Sequence, residues 1–150
     1  MKNYHQVTAA IVNELKTIVG EKNGITDSEK MEPYSHDEVT DSHYFHMPDV
    51  VVFPTNVQQV SQIVKLANRE LIPVVPRGAG TGFACGAVPL YGGIVLGLEK
   101  MNKIIEINEE KLYMVVEPGV KTSEVQQAAK EKHLLYAGDP CSGGQLFYWR

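Results

Sequence analysis

The sequence predicts an α+β chain in two lobes, and three observations carry that expectation. Val50–Phe53, Ile72–Pro76 and Gly93–Leu98 are short apolar runs of the kind that form strands buried on both faces. After residue 100 the pattern changes to two alternating runs, as in a half-exposed antiparallel hairpin. Between the second and third buried runs stands "RGAGTGFACGAVPLYGG", Arg77 to Gly93, which holds six of the chain's thirteen glycines.

The elements follow in order. Val7, Ile11, Leu15, Ile18 and Val19 recur at helical spacing, and Gly20 sits where a helix stops. Residues 21–49 read as a polar, irregular lead-in broken by Pro33 and Pro48. The first buried strand ends at Pro54. Thr55 then offers an N-cap, with Gln58 closing a capping box. Val57, Val60, Ile63, Val64 and Ala67 mark one face of the helix that follows, to about Arg69. Strand, helix and strand in this order make a parallel βαβ lobe. Residues 103–108 and 112–117 read as the hairpin, joined by Asn108–Lys111. A second capping box, Ser123 to Gln126, opens a helix to about His133, and Leu134–Ala137 reads as one more short strand.

Composition narrows the function classes. The chain has 150 residues, 43% hydrophobic and 21% charged, enough to bury a core. A net charge of −4 with dispersed lysines gives no footprint for nucleic acid. Glu14 and Lys16 interrupt the apolar pattern of the N-terminal helix, so no transmembrane segment or signal peptide is expected there. Cys85 and Cys141 form no C-x-x-C pair and read as free thiols of a cytoplasmic protein. His43 and His46 with Asp41 and Asp49 offer metal-ligand chemistry, but they sit in a solvated loop and no metal site is expected.

The glycine stretch carries the chemistry. Without Cβ atoms, backbone can approach an anion closely and successive N–H groups can converge on phosphate oxygens. A connection of about 2–6 residues would serve a simple turn, and this one is much longer. A dinucleotide fingerprint fails: counted from Gly78 the last required glycine is Phe83, and counted from Gly80 it is Cys85. A P-loop fails as well, because the sequence contains no Gly-Lys. What remains is a phosphate-binding loop of another kind. Arg77 at its start either packs at the loop base or faces the phosphates.

"PDVVVFPTN…IPVVPRGAGTGFACGAVPLYGGIVLGLEKMNKIIEI", with "YSHDEV" before it and "VVEPGV" after it, closely resembles flavin-dependent 2-hydroxyacid oxidoreductases. These are the glycolate oxidase FAD-linked subunit and D-lactate dehydrogenase type, among the vanillyl-alcohol-oxidase-like flavoproteins. The resemblance spans roughly Tyr34 to Ser142. It implies a lead-in over 1–48 and a two-lobe FAD-binding domain over 49–150, with the second lobe incomplete. It also implies a diphosphate loop of Pro76, Arg77, Gly78, Ala79, Gly80, Thr81 and Gly82, closed by Gly86 and Ala87. A side chain at Gly80 is expected to fill space the diphosphate needs. Asp139, Pro140 and Ser142 match the segment that approaches the isoalloxazine. Relatives that attach FAD covalently place a histidine in the loop; Thr81 stands nearest that position, so non-covalent FAD is expected. Ala84-Cys85 stands where many members have Ser-Gly.

The implied reaction is hydride transfer from a small 2-hydroxy acid, glycolate or D-lactate, to FAD, with an electron acceptor or further oxidoreductase subunits as partners. After "DPCS" the family's next glycine-rich segment and its substrate-holding cap do not follow; the chain reads "GGQLFYWR". No catalytic residue is therefore assigned. The alternative expectation is a truncated, non-catalytic remnant that binds FAD weakly or not at all.

Overall fold

A computed structural model describes residues 4–138. Helix α1 (Ala9–Val19) is capped by Thr8, whose hydroxyl accepts from the Ile11 amide at 3.4 Å, and it buries Ile11, Leu15 and Val19 on one stripe. The lead-in is more ordered than its polarity suggested. It contains strand β1 (Gly24–Ile25) and a short helix α2 (Ser28–Met31) capped by Asp27. Strand β2 (Val50–Val52) is fully buried.

Helix α3 (Val57–Arg69) begins one residue later than the sequence implied. Asn56, not Thr55, is the N-cap: its side-chain oxygen accepts from the Gln59 amide at 3.0 Å. Gln59, not Gln58, closes the start by accepting from the Thr55 amide at 2.7 Å. Its amide group also donates to the Ile18 carbonyl at 2.9 Å, tying α3 to α1. Ile63, Leu66 and Ala67 face the core, while Val57 and Val64 are 67% and 47% exposed. Those two valines lie seven residues apart, on one flank of the stripe.

Strands β3 (Val74–Arg77) and β4 (Ile94–Gly97) complete a four-stranded sheet of order β1-β2-β4-β3. β4 pairs in parallel with both β2 and β3, setting Ile94 beside Val50 and Val74. Only β1 runs antiparallel. The period of two divides the core. Val50, Val52, Ile94 and Leu96 meet α1 and α3, whereas Val51, Val95 and Phe53 meet Met31 of the lead-in. Burying each such side chain contributes about 1.5–3 kcal/mol.

A second sheet holds β5 (Ile104–Asn108) and β6 (Tyr113–Val116), antiparallel with an irregularity between Ile104 and Glu106. Helix α4 (Thr122–Glu131) starts one residue before the expected cap: the Glu124 carboxylate accepts the Lys121 amide at 3.0 Å. Leu134–Ala137 is not a strand. His133 turns into the left-handed region (φ 57°), and the Leu134 amide goes back to the Ala129 carbonyl at 2.9 Å.

Candidate functional site

The two parallel neighbours β3 and β4 are joined by the loop Gly78–Gly93, which leaves the carboxyl end of β3. Its far end is fastened to the start of β2. The Asp49 carboxylate accepts the Gly93 amide at 2.9 Å, and the Asp49 amide donates to the Gly93 carbonyl at 2.9 Å.

The near end is fixed by Arg77, which is 7% exposed. Its guanidinium turns into the lead-in. Nη1 donates to the His36 carbonyl at 2.6 Å, Nη2 to the Pro33 carbonyl at 2.9 Å, and the group lies 5.5 Å from the Tyr34 ring centre. Of the two readings open for Arg77, the structure supports packing at the loop base. Burial lowers its pKa below the ordinary guanidinium value, with Tyr34 and the Asp37, Glu99 and Glu38 carboxylates acting in the opposite direction. It remains a cation. Tyr34 donates to Glu99 Oε1 at 3.2 Å. Its phenol is pushed up to about 12, first by burial and then by the neighbouring carboxylate.

Asp37, 6% exposed, braces the middle of the loop. One carboxylate oxygen accepts the Val39 amide at 3.0 Å and the other the Cys85 amide at 2.8 Å. The Glu38 amide donates to the Gly82 carbonyl at 3.1 Å. Sequence reasoning passed over Asp37 as a site residue. The only signal for it was its place within "YSHDEV", since nothing local says where a carboxylate will find its donors.

The amides of Gly78, Ala79, Gly80, Thr81 and Gly82 behave differently: none of them donates to an acceptor among the described residues. They lie on half-buried to exposed backbone that water can reach, and successive amides with so little side chain around them are available as donors. Residues 78–81 are half-buried and Gly82 is exposed. Pro76 is exposed within β3, opposite Leu96. Gly86 is exposed, and the half-buried Ala87 accepts weakly from Arg77 Nη1 at 3.5 Å. Five successive backbone donors are the chemistry that a diphosphate would need. Asp139, Pro140 and Ser142 lie outside the described residues.

One expectation about the loop changes its physical cause. Gly80 has φ 74°, and a Cβ there would run into the Arg77 guanidinium, with Nε at 2.9 Å. Glycine is required at 80 by the protein's own packing before any ligand is considered. Cys85 has φ 56° and so carries the left-handed conformation on a side-chain-bearing residue. Asp41 accepts the His43 amide at 2.9 Å, and His43 meets Tyr44 edge-on. Among the described residues no cluster of three or more His, Cys, Asp or Glu could hold a metal ion.

Comparison with known proteins adds the following. A family model described as an FAD binding domain matches residues 48–146. The chain is 37% identical over 135 residues to D-2-hydroxyglutarate dehydrogenase of Stutzerimonas stutzeri, covering 90% of this chain and 29% of that protein. It is 36% identical over 136 residues to glycolate oxidase subunit GlcD of Bacillus subtilis, covering 91% and 28%. Among solved structures, an alkyldihydroxyacetonephosphate synthase superposes with a TM-score of 0.83 at 16% identity, over 97% of this chain and 31% of that one. That likeness shows the two-lobe fold alone. The chain spans less than a third of the length of these relatives.

Proposed function

The chain belongs to the FAD-binding domain family, with FAD as its cofactor, and on that footing we propose that it is the diphosphate-holding part of a flavin-dependent oxidoreductase of a small 2-hydroxy acid such as glycolate or D-lactate. The observation that carries this reading is the run of amides from Gly78 to Gly82, without acceptors among the described residues, on a loop fixed at both ends. These amides would hold the FAD diphosphate, with the Thr81 hydroxyl as a further donor and Gly86 and Ala87 closing the loop. With threonine rather than histidine in the loop, FAD binds non-covalently. For Asp139, Pro140 and Ser142, which lie outside the described residues, the resemblance alone supports a role toward the isoalloxazine. When bound, FAD supplies the acceptor for the hydride that leaves the substrate's α-carbon. An electron acceptor or a further oxidoreductase subunit would be its redox partner. Among the described residues no helix is long and apolar enough to cross a membrane. The cytoplasmic reading rests on cysteine usage, two cysteines with no C-x-x-C pair.

A second reading concerns the 150-residue chain alone. Gly82, Phe83, Ala84 and Gly86 are exposed, Phe83 by 77%, so the outer side of the loop has little cover. Pockets bury most of a bound ligand's surface, so this chain by itself holds FAD weakly. The test is flavin absorbance of two purified proteins, the 150-residue chain and a form extended to the relatives' length. The extended form is expected to be yellow. A colourless extended form would refute the primary reading, and tight stoichiometric FAD on the shorter chain would refute the second.

A further inference from the structure

We propose that Asp37 and Arg77 are positioning residues that hold the diphosphate loop in its binding shape before any cofactor arrives, so that the lead-in segment Pro33–Val39 is a working part of the site. The role assigned to the loop rests on the function proposed above; the brace itself does not. Arg77 belongs to the sheet and reaches out to the Pro33 and His36 carbonyls of the lead-in. Asp37 belongs to the lead-in and reaches back to the Cys85 amide. Between them the Glu38 amide takes the Gly82 carbonyl. The segment therefore grips the loop at Arg77, Gly82 and Cys85, around the amides that have no acceptor among the described residues.

The grips at Arg77 and Cys85 use buried groups whose bonds resist exchange for water, while the bond at Gly82 joins exposed backbone. Asp37 and Arg77 are 6% and 7% exposed, and a buried charge left without its partners is costly. The Arg77 fork binds two carbonyls from one planar group, which an ammonium cannot reproduce. Gly80, packed on that guanidinium at φ 74°, passes the fork's position to the middle of the amide run. Holding donors in place in advance lowers the ordering cost that binding would otherwise carry.

Asp37→Asn is nearly isosteric and keeps only one acceptor for two amides, Val39 and Cys85. Backbone 15N relaxation of the cofactor-free 150-residue chain reads the brace directly. In Asp37→Asn, and separately in Arg77→Met, amides 78–87 are expected to gain fast motion while those of β4 stay unchanged. Arg77→Lys is expected to behave as Arg77→Met does. Unchanged loop relaxation in Asp37→Asn, or full rescue by lysine, would overturn the proposal. FAD titration of the extended form gives the second arm, with affinity expected to fall at least tenfold in Asp37→Asn. A loosened loop with undiminished FAD affinity would also overturn the positioning role. An extended parent protein that fails to bind FAD while its loop relaxation shows the brace would refute the proposed function and leave the brace standing.

Discussion

The Arg77 guanidinium occupies the space into which a Cβ on Gly80 would point. One residue's freedom from a side chain is thus set by another's burial, and the pair fixes the start of the amide run. Arg77 is in turn held by the Pro33 and His36 carbonyls, so the three-way contact cannot relax locally.

Gly80→Ala should therefore destabilise the chain with no cofactor present. The left-handed backbone alone costs a non-glycine residue about 1–2 kcal/mol, and the collision with Arg77 adds to it. Urea unfolding of the cofactor-free protein is expected to show a loss of about 2 kcal/mol or more. An unchanged midpoint would mean the loop adopts another shape around residue 80.

Cys85→Gly should act in the opposite direction. At φ 56° the cysteine carries left-handed strain, while its amide bond to Asp37 belongs to the backbone and survives the substitution. Relief of strain exceeds the added freedom of the unfolded chain, for a net gain of about 0.5–1 kcal/mol. A lower unfolding midpoint in the glycine variant would assign the cysteine side chain a packing role.

Tyr34 gives a test in alkali. Its folded-state pKa of about 12 lies above the ordinary 10.0, so the folded protein holds the phenolic proton more tightly than the unfolded chain does. The associated stability is complete below about pH 10 and is lost as pH rises through about 12. Stability curves of the parent protein and Tyr34→Phe should run parallel below pH 10. Above it the parent should fall more steeply. Equal slopes up to pH 12 would show that Tyr34 ionises freely in the folded state.

Strands β2 and β4 were legible because each is a continuous apolar run buried on both faces. β3 was legible as a run too, but it stands at the sheet's edge and is only half-buried. β1 was not legible, because Gly24–Ile25 is two residues within a polar segment. The hairpin was legible because a four-residue connection cannot support a parallel crossover. Helix starts were less so. Thr55 and Asn56 are both good caps, and the choice of Asn56 falls to Gln59, which reaches back to Thr55 and across to Ile18. Val57 and Val64 fit the apolar stripe of α3 by spacing, yet the sheet and α1 cover only the flank that holds Ile63, Leu66 and Ala67.

The sequence by itself determined a glycine-rich connection between two buried strands, and with it the chemistry of converging amides, because residue type decides where a backbone can lie bare. The tertiary structure decided how that connection is held. Asp37 and Arg77 are separated by forty residues of chain, and neither carries a local pattern naming its partner. Their bonds to Cys85, Pro33 and His36 arise only when β3 is docked beside β4 and the lead-in folds across the sheet. Long-range polar contacts depend on where separate elements come to rest, and no periodicity in a single segment encodes that meeting.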